Sequence, residues 1–211
     1  MSYSIQGANS QQHSHATSHA TGTMIEVQGG QKPVEALELG DMVRTKDNGY
    51  QPVRWIASRR FTASDFAADP SLRPIRIQAG ALGKAKPERD LLVSQQHCLL
   101  VDDWRSEFLF GEDEVLAPAK ALLNESTITV DRQSGEVTYF HFMFDSHEIV
   151  YSNGVETESF HPAAGGVDQL DDAKRTELYK LFPQLEHNVD AFGPQARATL
   201  RSYEVEVLMA A

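Results

Sequence analysis

The segment Ser94-Gln95-Gln96-His97 sets a hydroxyl and an imidazole three residues apart, between the apolar runs Leu91-Leu92-Val93 and Cys98-Leu99-Leu100-Val101. Strands on both sides would hold this turn still, so His97 is aimed from a fixed point. An imidazole with an ordinary pKa of ~6.5 both gives and accepts a proton near neutrality, which suits general acid/base work. A histidine bonded to turn backbone is the competing structural reading. A second pair, Asp145 and His147 in Asp145-Ser146-His147, lies at a turn between two later apolar runs. An aspartate there raises the basicity of an imidazole or polarises a water. An Asp145 that bonds its own backbone would only make the turn.

Other candidates are weaker. His13, His15 and His19 have no cysteine or carboxylate at ligand spacing, so a solvated tract is expected, with no metal and no cofactor. His141 alternates with Phe140 and Phe142 and should face the opposite side of its strand from them. Cys98, inside an apolar run, reads as a small buried hydrophobe, with a reactive role beside His97 as the alternative. The dipeptide His187-Asn188 is followed by Val189, which has no nucleophilic atom.

The elements that must position these groups are short. From Thr23 to about Phe160, brief apolar runs broken by turn residues predict a mostly β domain. Met24 to Val27 stops at Gly29-Gly30. Met42 to Thr45 and Gln51 to Ala57 flank Asp47-Asn48-Gly49, a strong hairpin turn. Residues 62–72 read as a short helix with Thr62 or Ser64 as N-cap and Pro70 ending it. Ile75 to Gln78, Leu91 to Val93 and Cys98 to Val101 are brief strands, and Ala117 to Leu123 is a helical turn. Ile128 to Val130 with Glu136 to Phe144, and His147 to Tyr151 with Val155 to Ser159, read as two further hairpins. Beyond Pro162 the pattern changes to an amphipathic helix over Asp168 to Phe182, with Leu170, Ala173, Leu178 and Leu181 on one face, and a second over Ala196 to Leu208. The expected division is a flexible segment 1–17, a β domain 18–162, and a helical extension 163–211 packed on it.

Composition bounds the function. The chain has 211 residues and a formal net charge of −11, which argues against a phosphate-binding surface and hence against nucleic acid. Its longest apolar stretches fall short of a membrane span. One cysteine excludes an internal disulfide framework. The polar opening residues lack the apolar stretch of a secretory signal, so a soluble protein is expected, cytoplasmic or secreted by a signal-free route.

Gly22-Thr23-Met24-Ile25, Pro33-Val34-Glu35-Ala36-Leu37, Leu39-Gly40-Asp41-Met42-Val43-Arg44-Thr45, Gln51-Pro52-Val53-Arg54-Trp55-Ile56 and Glu88 to His97 occur in this order. Together they resemble the bacterial Hint family of Hedgehog/intein autoprocessing domains. The resemblance implies a horseshoe-like β fold with short helices. It also implies a nucleophile a few residues before Gly22-Thr23, and counting back gives Ser18 where the family usually has cysteine. His97 takes the family's proton-donating histidine, Ser94 the orienting hydroxyl, and Asp145 with His147 a supporting cluster. The implied reaction is an intramolecular acyl shift at the Thr17–Ser18 bond, with the chain's own N-terminal flank as substrate. Inteins end in His-Asn before a nucleophile, and His187-Asn188-Val189 does not meet that pattern, so full splicing is not expected. The alternative is a catalytically degenerate Hint scaffold that serves as an interaction or anchoring module.

Overall fold

The structure is a computed structural model that describes residues 17–164, 166–167 and 170–210. Most of the expected segment 1–17, with His13 and His15, lies outside the described residues, as does Asp168 at the expected start of a helix. The described elements follow in chain order as β1 (His19–Ala20), β2 (Met24–Val27), β3 (Gly30–Pro33), β4 (Met42–Arg44), β5 (Tyr50–Pro52), β6 (Trp55–Thr62), α1 (Ala63–Ala68), β7 (Ile75–Ile77), β8 (Leu91–Val93), β9 (Cys98–Asp102) and α2 (Trp104–Phe110). They continue as β10 (Glu114–Pro118), β11 (Ile128–Val130), β12 (Glu136–Met143), β13 (Ile149–Ser152), β14 (Val155–Glu158), α3 (Asp172–Leu181), β15 (Ala198–Thr199) and α4 (Ser202–Ala210). The fold is mostly β, as expected.

Among the described residues the strands form two sheets. One runs β11-β7-β8-β1-β12-β6; the other runs β15-β10-β9-β14-β13-β2-β4-β5, with β3 beside β2. The hairpin of β13 and β14 closes through Asn153-Gly154, both at positive φ (49° and 80°), as a two-residue turn that matches strand twist requires. A Cβ on Gly154 would also stand 3.0 Å from the Glu88 side chain. Thr62 starts α1 with its N–H donated to the Asp65 carboxylate at 2.7 Å, and a 3-10 turn at Pro70–Leu72 ends the segment.

Three expectations are corrected. The run Gln51 to Ala57 is two strands in different sheets, because Val53 N–H donates to Asp41 O and Arg54 N–H to Met143 O, which carries the chain across. Ile128 to Val130 does not pair with Glu136 to Phe144: β11 joins β7 and β12 joins β6 and β1. Asp131 fixes the departure by accepting the Gln133 N–H at 3.0 Å while its own N–H goes to Pro74 O. Finally, Ala196 to Leu208 is not one helix. Ala198–Thr199 adds to β10 as a parallel strand before α4 begins.

Apolar side chains between and behind the sheets form the core. Ile75, Leu91, Val93, Leu99 and Val115 pack with Val205 and Leu208 of α4, and Trp55, Met143 and Phe160 pack with Leu170, Leu178 and Phe182 beside α3. Ala173 and Leu181, expected on the buried face of α3, are exposed. Among the described residues no helix is long and apolar enough to cross a membrane.

Candidate active site

Sheet register builds the site. β1 lies between β8 and β12, with His19 opposite Phe140 on one side and Val93 on the other. Both pairings are antiparallel, so one residue back Ser18 falls between Ser94 and His141. Directly opposed residues present side chains to the same face. Hence Ser94, Ser18 and His141 form a row across three strands.

The peptide bond Thr17–Ser18 is gripped at both ends. Ser18 N–H donates to Ser94 Oγ at 3.1 Å, and His141 Nδ1 lies 2.9 Å from Thr17 O. A carbonyl only accepts, so Nδ1 carries the ring proton and Nε2 is left as an acceptor. Ser18 Oγ lies 3.2 Å from Nδ1 and 3.4 Å from Nε2 of the same ring. Thr17 is 8% exposed and Ser18 3%, so the bond sits inside the protein. Ser94 N–H donates in turn to Ser18 O at 3.0 Å, which locks the two segments in register.

His97 closes the turn it was expected to occupy, its N–H donated to Ser94 O at 3.1 Å. It is 1% exposed, and both ring nitrogens lack a hydrogen-bond partner among the described residues. Its ring meets that of His19 edge-on at 4.3 Å. His19 is buried too, against the expectation of a solvated tract. Its Nε2 reaches Ser152 Oγ at 2.8 Å and Thr157 Oγ1 at 3.2 Å, and its ring stacks on Phe142.

Burial penalises the imidazolium form, so these histidines are held neutral. It brings His141 down to about 4, with the Thr17 carbonyl pulling the other way. It brings His19 down to about 3, helped by His141. His97 is pushed well below its ordinary value by burial, then by His19, His141 and His147.

The two supporting candidates go to different places. Asp145 is an exposed surface group, paired with Arg54 Nε at 2.9 Å, and does not reach the row. Its neighbour in the motif turns inward. His147 Nδ1 accepts the Ala196 N–H at 3.0 Å, which leaves the proton on Nε2, 3.1 Å from Ser159 O and 3.4 Å from Glu158 Oε2. Glu158 is 1% exposed, and its Oε1 accepts the Cys98 N–H at 2.8 Å. It therefore ties the residue after His97 to the strand that carries it. Burial, then the Glu158 carboxylate, push the Cys98 thiol up, so this sulfur is a packed group.

Two residues of the candidate site have no local signature in the sequence. The alternation along β12 does put His141 opposite Phe140 and Phe142, but its partner across the sheet is 123 residues away in sequence. Glu158 ends a strand expected from the sequence, but nothing in its neighbours signals its burial. Among the described residues, no three His, Cys, Asp or Glu side chains gather as a metal ion would need.

The structure is similar to inteins of low sequence identity. The gp41-1 intein matches at a TM-score of 0.39 and 14% identity, over 67% of this chain and 97% of that one. The bacterial intein-like domain from Clostridium thermocellum matches at 0.41 and 15%, over 67% and 97%. The Ssp DnaB mini-intein variant M86 matches at 0.44 and 12%, over 69% and 96%. No curated protein matches. The assignment rests instead on a family model described as Hint domain, which matches residues 17–164 and so begins at the gripped peptide bond. The chain belongs to the Hint domain family, whose fold is of the autoprocessing type.

Proposed function

We propose that this Hint domain cleaves its own chain at the Thr17–Ser18 bond, by an N-to-O acyl shift followed by hydrolysis and without splicing. One observation carries the reading: the bond is held at its carbonyl by His141 and at its nitrogen by Ser94, with the Ser18 hydroxyl against the same imidazole. A planar amide resists attack because resonance stiffens its C–N bond. Fixing both ends lets the fold hold it in a reactive geometry before any charge develops.

In the proposed step Ser18 Oγ attacks the Thr17 carbonyl carbon and its proton passes to His141 Nε2. The oxygen that becomes negative takes the hydrogen bond from His141 Nδ1–H, an oxyanion-hole role. The C–N bond then breaks, and the proton that His141 took up passes through His97, whose ring nitrogens have no hydrogen-bond partner among the described residues, to the leaving nitrogen, which becomes the Ser18 amine and leaves both imidazoles neutral. An ester joins Thr17 to Ser18 Oγ. Water hydrolyses it to a Thr17 carboxylate and restores the Ser18 hydroxyl. Ser94 is the orienting hydroxyl. His147 supports the site through Glu158 and the His97 turn, and Asp145 takes no step. Serine is the slower nucleophile, since its hydroxyl is far less acidic and less nucleophilic than a thiol.

Intact mass of the purified protein, followed for days at about pH 6 to 8, tests this reading. A fragment that begins at Ser18 should appear, faster by about tenfold or more in Ser18→Cys and absent in His97→Ala. A full-length mass in every sample, even Ser18→Cys with hydroxylamine or thiol, would establish the degenerate scaffold.

A further inference from the structure

Away from the cleavage site, α2 shows the reverse of an ordinary surface helix. Trp104 and Phe108, one helical turn apart, are 75% and 82% exposed. Beside it, α4 exposes Tyr203, Val207 and Met209 while burying Val205 and Leu208. A groove of about 640 Å³ runs between β9, residues 121–124 and the end of α4, with Leu82, Val101 and Met209 on its walls and Arg105 of α2 joining it to the Trp104–Phe108 shelf. Large aromatic side chains cost free energy in water, and apolar side chains exposed together beside a groove mark an interaction surface.

The rim decides what fits. Asp102, Glu107, Glu112, Asp113 and Glu206 are all exposed around the patch, and Glu107 shares the outer face of α2 with Trp104 and Phe108. Over residues 102–114 and 201–210 stand eight carboxylates and two arginines; Asp103 pairs with Arg105 and Glu114 with Lys46 and Arg197, which leaves Asp102, Glu107, Glu112, Asp113, Glu204 and Glu206 with Arg201. An anionic lipid surface is repelled by such a rim, and so is a second copy of this acidic chain. We propose that the α2–α4 face docks an amphipathic polypeptide segment whose apolar side chains recur at helical spacing and are flanked by Lys or Arg. The aromatic shelf supplies the anchors, and the acidic rim orients the segment and excludes acidic competitors. This docking is independent of the cleavage chemistry.

Trp104 reports on it directly, because the other tryptophan, Trp55, is fully buried. The probe is a synthetic 14-residue helical Leu/Lys peptide titrated into the full chain at physiological salt, with an Ala-for-Leu peptide of the same charge beside it. Expected is a saturable blue shift of Trp104 emission, about tenfold weaker binding of the Ala peptide, and a similar loss in Phe108→Ser. The double variant Glu107→Gln/Glu206→Gln should weaken binding about threefold and flatten its salt dependence. Equal binding by Phe108→Ser overturns the proposal, since net charge alone would then account for it. The same shift on phosphatidylserine vesicles, or on concentrating the protein alone, overturns it in favour of a membrane or a second copy.

Discussion

In the proposed reaction the residue with most to do is His141. One neutral imidazole meets Thr17 O at 2.9 Å through Nδ1 and Ser18 Oγ at 3.4 Å through Nε2, the two groups that the proposed acyl shift joins. Removing it should therefore cost more than a lone base would. In the Ser18→Cys background, His141→Ala is expected to slow cleavage by about 10³-fold, and His141→Gln by less, because its amide can still donate to Thr17 O. Mass spectrometry of the released fragment measures the rates, and equal rates in all three proteins would remove His141 from the mechanism. Ser94 and His97 were legible because both sit in one turn between apolar runs. His141 was legible only as a strand residue. Its relation to Ser18 depends on which strands pair, which is a long-range fact that no local pattern encodes.

At the scale of elements, a turn is legible in the sequence where two residues fix it, and a strand's partner is not where the pairing is non-local. Asn153-Gly154 announces the β13–β14 hairpin, since positive φ at both positions suits few other residues. The stretch Gln51 to Ala57 looks like one strand, yet its two halves serve different sheets because distant partners capture Val53 and Arg54. The tie between β9 and β14 has the same character, as Glu158 reaches across to the buried Cys98 N–H. Glu158→Ala leaves that donor unsatisfied and should destabilise the domain by about 1–3 kcal/mol. Glu158→Gln keeps an acceptor and should lose much less. Urea denaturation of the two variants settles the matter, and a Gln variant as damaged as the Ala variant would mean that the carboxylate charge, not the hydrogen bond, is what the tie requires.

For the whole molecule, burying His19, His97 and His141 side by side makes stability depend on pH. All three are depressed in the folded state, to about 3 for His19, well below normal for His97 and about 4 for His141. In the unfolded chain each would titrate near ~6.5. Between these values the unfolded state binds more protons, so stability is fully present above ~6.5 and is lost as pH falls toward the folded values. His19 and His141 each cost about 1.4 kcal/mol by pH ~5.5, or about 3 kcal/mol together, a large share of a typical domain's stability, and His97 acts in the same direction. Acidification also trims the net charge of −11, which relieves self-repulsion and works the other way, but surface charges are screened by salt and buried ones are not. Urea midpoints should therefore fall steadily from about pH 7 to pH 5, and the slope should lessen in His141→Gln. The same neutral resting state keeps the base available, so cleavage should be flat from about pH 6 to 8 and decline only as His141 protonates near its own value. A fold that holds or gains stability over the acid range, with a cleavage rate that drops near ~6.5, would mean that these imidazoles are open to water, and the buried, neutral site would have to be abandoned.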